Sequence, residues 1–246
     1  MSETQNTLAI ILDRHDYKEA DSLVILYTLE FGKLNLIARG TKKITSKLAG
    51  HIEPFNLVKL MIVPGKGLDY LGSAVSQNSF LKIKEDFNKL YFAGKAVSCF
   101  NRLVKEGEAD SALFNLLRNF FEVLNDFGGN DFSKEIGEIF FSFFVFKLLS
   151  ELGYQPELFK CLECGKKIVE GVNGFNLQQG GVVCEECFKN TKSETGIELF
   201  TISDNCIRLL RYLTNNDFNS VFRLKINKKL IKELSVLTLN YLNFRN

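Results

Sequence analysis

Cys161, Cys164, Cys184 and Cys187 form two Cys-x-x-Cys pairs separated by nineteen residues, in a chain with six cysteines and two histidines. Four thiolates complete a tetrahedral Zn²⁺ shell and leave no position for water or substrate, so this spacing predicts a structural zinc ion. Gly165 supplies the tight turn after the second thiol. Phe175 and Leu177 alternate, Gly180-Gly181 turns the chain and Val182-Val183 returns it, a hairpin that brings the second pair to the first. Lys160, Lys166, Lys167 and Lys189 oppose Glu163, Glu170, Glu185 and Glu186, so the segment is near neutral and reads as a staple. Two rivals fit less well. A redox dithiol lacks a thioredoxin-like context. The deaminase signature H-x-E…P-C-x-x-C is mimicked by His51-Ile52-Glu53, but that stretch lies over a hundred residues before Cys161, and Pro156 is not adjacent to the cysteine.

The second constellation is electrostatic. No acidic residue lies between Gly32 and Ile52, while Lys33, Arg39, Lys42, Lys43 and Lys47 are all cationic. Gly40, Thr41, Thr45 and Ser46 add backbone and hydroxyl donors suited to phosphate oxygens. Tyr27, Phe55 and Tyr70 are candidate stacking platforms for bases, although core packing is the favoured reading of each ring taken alone. A further positive run holds Arg223, Lys225, Lys228, Lys229 and Lys232. Glu108–Glu138 is acidic, which suits contacts with protein better than with nucleic acid.

Little else could catalyse. Gly65-Lys66-Gly67 is not a P-loop, which needs G-x-x-x-x-G-K-[ST] before a helix. Asp13, Asp16, Glu19 and Asp21 are interspersed with Arg14, Tyr17 and Lys18 and read as a solvated loop. Cys99 and Cys206 fall on helical patterns and read as packing residues. No enzyme is expected.

The elements that carry these residues follow from periodicity. Thr7–Asp13, Ser22–Glu30, Lys33–Arg39, Glu53–Val63 and Leu68–Asn78 read as five strands, with turns at Phe31-Gly32-Lys33 and Pro64-Gly65-Lys66-Gly67. Five strands with a long connection after the third match a small Greek-key barrel such as the OB-fold. From Glu85 the spacing is helical. Asp86–Glu106, Ser111–Phe127, a helix capped by Asp131 or Ser133 and ending at Gly153, Ser203–Leu213 and Asn227–Tyr241 are expected helices. The third of these is apolar nearly all round and belongs at the centre of a bundle. The class is therefore α+β: an OB-fold domain over 1–80, then an α-helical domain over 81–246 with a zinc-binding insertion at 158–190.

A length of 246 residues can bury a proper core, and a net charge of +2 says less than its distribution. Ile139–Leu149 is too short to span a bilayer, and Met1–Asn6 lacks the layout of a signal peptide. A cytoplasmic, nucleoid-associated protein with reduced cysteines and no membrane partner is expected.

In order along the chain, "HDYKEADSLVILYTLEFGKLNLIARGTKK", "EPFNLVKLMIVPGKGLDYL", "LLSELGYQPELFKCLECG" and "GGVVCEEC" resemble the bacterial RecO family of recombination mediators and DNA-repair proteins. The resemblance spans nearly the whole chain. It implies an OB-fold followed by a helical domain with a zinc-binding insertion, binding of single- and double-stranded DNA, and annealing of complementary strands. The implied partners are RecR, the C-terminal tail of single-strand-binding protein and, indirectly, the recombinase RecA. Carried onto this chain, Arg39, Lys42, Lys43 and Lys47 line the DNA-binding side of the barrel, with Lys33 and Lys66 as further candidates. Zn²⁺ falls to Cys161, Cys164, Cys184 and Cys187. The competing class is an OB-fold RNA-binding or transcription-associated factor with a structural zinc ribbon, which would prefer RNA through 2′-hydroxyl contacts.

Overall fold

Alternating apolar residues in the first eighty positions close into a barrel. The computed structural model describes residues 3–128, 132–191 and 199–245. The strands are β1 (Gln5–Tyr17), β2 (Asp21–Thr28), β3 (Gly32–Ala38), β4 (Leu57–Val63) and β5 (Tyr70–Asn78), in the closed order β1-β2-β3-β5-β4. All neighbours are antiparallel except β3 and β5, which meet in parallel at Ile37 and Tyr70. This is the five-stranded, OB-like barrel anticipated from strand count. Its interior holds Ala9, Ile11, Val24, Leu26, Leu36, Ala38, Val58, Leu60, Ile62 and Leu71, the inward halves of the period-two patterns.

β1 outruns its expected end because its second half pairs with β2 from Asp13–Ile25 to Tyr17–Asp21. Its first half also pairs with β4, and a register shift between Ile11 and Asp13 bends the strand so that it serves both neighbours. At the β2–β3 turn Gly32 has φ +69°, and a Cβ there would lie 2.3 Å from the Glu108 carbonyl oxygen. Only glycine fits that position.

Three helices belong to the same compact unit, Met1–Gly128: α1 (Leu81–Glu85), α2 (Phe87–Leu103) and α3 (Ser111–Asp126). Asp86 caps α2 by accepting from Lys89 N–H, and Asp110 caps α3 by accepting from Ala112 and Leu113 N–H. Tyr27 meets Phe100 edge-on at 4.9 Å, and Phe55 and Phe80 both lie against Phe121, at 5.6 and 5.7 Å.

The second unit, Gly129–Asn246, is built around α4 (Lys134–Glu151). Gly137 and Ile139–Phe146 are buried without a break, as a helix apolar on every face requires. Ser133 caps it by accepting from Ile136 N–H, while the alternative cap, Asp131, lies outside the described residues. A three-stranded sheet of order β7-β6-β8 follows, from β6 (Asn173–Asn176), β7 (Gly181–Val183) and β8 (Leu199–Ile202), with the short helix α5 (Glu185–Thr191) after β7. Then come α6 (Asp204–Asn215), a 3-10 turn at Phe218–Arg223 and α7 (Lys228–Phe244). Phe218 of the 3-10 turn packs on Phe140 and Phe143, and Tyr241 of α7 stacks on Phe146. Leu234, Leu237 and Tyr241 form the buried stripe of α7. Cys99 and Cys206 are buried; burial pushes the Cys99 thiol up to about 12 and raises Cys206 likewise. Both are inert packing residues. Among the described residues no helix is long and apolar enough to cross a membrane.

Candidate nucleic-acid interface and metal centre

The connection between β3 and β4, residues 39–56, carries most of the uninterrupted positive charge. It is pinned from below. Gly40 N–H donates to the Asp21 carboxylate (2.8 Å), Lys42 N–H to the Ala20 carbonyl (3.1 Å), and the Thr41 hydroxyl is 2.7 Å from Ser22 Oγ. Arg14, on β1, donates to the Ala49 carbonyl (3.3 Å) and to Glu53 Oε1 (2.9 Å). The Asn56 amide donates to the Gly50 and His51 carbonyls, and its oxygen accepts from Lys84 Nζ at 2.6 Å. The loop is thus an ordered platform whose base is bonded to the barrel and whose crest faces solvent. Arg14 is a positioning residue that spacing did not single out; its charge looked like part of a mixed loop.

The structure sorts the candidate cations. Arg39, Lys42, Lys43, Lys47 and Lys66 are exposed. The Arg39 guanidinium carbon lies 4.0 Å from the centroid of the half-buried Tyr70 ring. A Cβ at Gly65 would come within 3.0 Å of the same ring, so Tyr70 connects Arg39 to the turn that carries Lys66. Lys43 and Lys47 project without an ion pair among the described residues, whereas Lys42 Nζ is 3.0 Å from Asp16 and donates to the Lys18 carbonyl (3.1 Å). The charge of Lys42 is therefore already partly countered.

Lys33 departs from its expected place. It is buried, and its ammonium donates to the Asn101 carbonyl at 2.7 Å. Asn101 lies in the last turn of α2, whose carbonyls have no intrahelical partner and carry the negative end of the helix dipole. Burial lowers the pKa of Lys33, and Glu106 partly restores it. This lysine caps a helix and is not available to an outside anion. Two of the three candidate platforms take the core packing favoured for each ring alone. Tyr27 is fully buried and its hydroxyl accepts from Asp110 N–H at 3.2 Å. Phe55 is buried against Phe121 and holds a left-handed backbone at φ +72°. Thr41, buried beside Ser22, is likewise not a phosphate donor.

The four cysteines converge in the second unit. Their sulfurs lie within 4.8 Å of one another, and Cys164 and Cys184 are 3.8 Å apart. A regular tetrahedron with metal–sulfur bonds of about 2.3 Å has edges of about 3.8 Å, so this group could hold a metal ion. It forms because a tight hairpin over Phe159–Ile168 presents the first pair. Ile168 N–H donates to the Phe159 carbonyl, Cys161 N–H to the Lys166 carbonyl, and Gly165, at φ +70°, donates to the Cys161 carbonyl. The β6–β7 hairpin then delivers Cys184, whose N–H donates to Cys161 Sγ at 3.3 Å. Burial pushes the Cys161 thiol up, but N–H groups of Cys184, Cys164 and Glu163 outweigh it and bring the thiol down to about 7. Cys184 and Cys187 are raised, first by burial; the neighbouring thiols add to this at Cys187, while at Cys184 the bonds to Cys187 partly offset it. Four sulfurs so placed oppose one another's ionisation unless a cation sits among them.

A third feature had no sequence signal. A groove of about 630 Å³ in the second unit is lined by Val172, Phe200, Ile202, Val236 and Leu237, together with Lys229 and Lys232. Its two acids are engaged: Glu233 accepts from Ser203 N–H (2.6 Å) and hydroxyl (2.8 Å), and Asp204 from Gly171 N–H and the Asn173 amide.

Comparison with known proteins agrees with both halves. The family description Recombination protein O N terminal matches residues 1–80, and Recombination protein O C terminal matches residues 84–245. The chain belongs to the RecO family. Among relatives named DNA repair protein RecO, that of Dehalococcoides mccartyi strain BAV1 is 33% identical over 230 residues, covering 94% of this chain and 86% of the relative. The Roseiflexus sp. strain RS-1 protein is 31% identical over 96% of this chain and 79% of its own length. That of Desulforamulus reducens is 29% identical over 96% and 87%. The two RecO segments meet between residues 80 and 84, where β5 gives way to α1.

Proposed function

We propose that this RecO-family protein is a non-catalytic recombination mediator that binds single- and double-stranded DNA and anneals complementary strands. In this reading it also helps RecA load onto strands coated by single-strand-binding protein, in concert with RecR, in the cytoplasm at the nucleoid. The observation that carries the reading is the pinned basic loop on a closed OB-like barrel, with Arg39, Lys43, Lys47 and Lys66 exposed and Lys42 partly neutralised. Phosphates held by such cations fix a strand without reading its sequence. The Arg39–Tyr70 stack supplies a flat cationic face suited to an unpaired base.

Zn²⁺ on Cys161, Cys164, Cys184 and Cys187 fixes the β6–β7 hairpin to the segment before it; it closes the local fold and offers no open coordination position. The apolar groove with Lys229 and Lys232 suits an acidic, apolar-ended peptide such as the C-terminal tail of single-strand-binding protein. The test is annealing of complementary DNA precoated with that protein. Acceleration that disappears when the coat protein's tail is deleted supports the mediator reading. Acceleration of bare strands alone removes the recruitment step, and no effect on either overturns the function.

A further inference from the structure

Ile44 has the highest fractional exposure of the large hydrophobic side chains in the described residues, at 106% of the reference value. It sits at the crest of the basic loop. Lys43 N–H donates to the Gly40 carbonyl (3.2 Å) and Ser46 N–H to the Lys43 carbonyl (2.9 Å), so Lys43–Ser46 is a closed turn with Ile44 and Thr45 as its central pair. Turn centres favour Gly, Pro, Asn, Asp and Ser, and two β-branched residues there run against local preference. No packing compensates, because the Ile44 side chain is fully open to solvent. The base of the loop is anchored by Asp21, Ser22 and Ala20, so the turn is carried on a fixed stem. Lys43 and Lys47, both exposed, flank the isoleucine.

We propose that Ile44 is a wedge that enters between neighbouring bases of a DNA strand while Lys43 and Lys47 hold its phosphates. The proposal rests on the DNA-binding reading above and adds to it a contact with bases. Isoleucine is one of the apolar residues that unstack a base step when a cationic surface brings the duplex or strand against it. A base step held open leaves its pairing edges accessible to a complementary strand. An anionic membrane would also attract a lysine-flanked isoleucine. One four-carbon side chain falls far short of a myristoyl chain, which itself binds membranes only marginally.

The experiment uses the full chain and a single strand with 2-aminopurine placed between adenines. Anisotropy reads binding and 2-aminopurine fluorescence reads unstacking. The wild-type chain raises the fluorescence on binding, and Ile44→Leu retains most of the rise. Ile44→Ala loses more than half of it, with affinity reduced about tenfold or less and the salt slope unchanged. Equal fluorescence for wild type and Ile44→Ala, with both bound, overturns the wedge and leaves DNA binding standing. No anisotropy change for the wild-type chain overturns the DNA-binding reading and the wedge with it. Vesicles of phosphatidylglycerol and phosphatidylcholine form the last arm. Co-sedimentation that needs Ile44, beside unchanged 2-aminopurine signals, assigns the residue to a lipid surface and overturns the wedge.

Discussion

Removing Lys43 and Lys47 together is the sharpest perturbation of the basic loop. Five cations of the candidate set are surface residues, and each one that neutralises a phosphate of a single strand contributes about 0.7 to the log–log salt slope. Lys42 already faces Asp16 at 3.0 Å, so the wild-type slope should lie between about −2.8, without it, and about −3.5, with it. Between 50 and 200 mM salt this corresponds to an affinity loss of about 50-fold to 130-fold. Lys43→Ala/Lys47→Ala removes two exposed charges that support nothing else in the barrel, so the fold should be unchanged by circular dichroism. The slope should flatten by about 1.4, and the loss over the same salt range should shrink about sevenfold. Fluorescence anisotropy with a labelled thirty-mer at four salt concentrations measures it. An unchanged slope in a folded variant takes the loop out of contact with phosphate. A wild-type slope much steeper than about −3.5 would require cations outside this set and refute the assignment as incomplete.

Asp16→Asn should release Lys42 from its carboxylate and steepen the slope by up to about 0.7, whereas Lys42→Ala alone should flatten it by less than Lys43→Ala does. Lys33→Met should leave the slope unchanged and cost about 1–2 kcal/mol in chemical denaturation, because the Asn101 carbonyl loses a charged donor at the end of α2. Burial lowers the pKa of Lys33, so the unfolded chain holds this proton to higher pH than the folded one. Stability of the wild-type chain should therefore rise with pH between the lowered value and 10.5, and the comparison with Lys33→Met between pH 8 and 10.5 should isolate that rise. Chelation should release one zinc per chain and speed amide exchange in 158–190 while leaving exchange in the β1–β5 barrel unchanged; uniform loss of protection in both units would overturn a local staple.

The barrel was legible because residues two apart along a strand share a side, so Leu36 and Ala38 of β3 both reach the barrel core. Its outer face is partly covered as well, with Tyr27 and Ile37 buried there, so alternation marked the strands without marking which outer residues meet solvent. The helix starts at Asp86, Ser203 and Asn227, with Ser133 as one of two alternatives, were legible for a local reason: a cap bonds to a backbone N–H two or three residues on. The Asp110 cap was not singled out, although the helix start beside it at Ser111 was. The cysteine group was legible because each Cys-x-x-Cys pair carries half of a tetrahedral ligand set within four residues, leaving only one hairpin to join the halves. By contrast, α1 is a single turn behind Phe80 in a left-handed conformation, and β8 pairs with β6 across more than twenty residues. Nothing in either short segment encodes a partner that remote.

The same limit governs the charges. Lys33 and Lys43 look alike in sequence, both cationic, both in a stretch free of acids. What separates them is a contact at a sequence distance of 68 residues, where Lys33 meets the end of α2. Lys89 repeats the arrangement at the Phe127 carbonyl that ends α3, and Lys147 at the Thr214 carbonyl in the last turn of α6. Burial lowers the pKa of all three. A lysine reaching a helix C-terminus satisfies a carbonyl that packing has cut off from water, and its charge is used inside the fold. Regional charge therefore overstates what a strand of DNA would meet. The cations open to an outside anion are those whose side chains end in solvent. The Lys43–Ser46 turn, followed directly by Lys47, also exposes Ile44, so under the proposed reading one local geometry would set both the phosphate contact and the base contact.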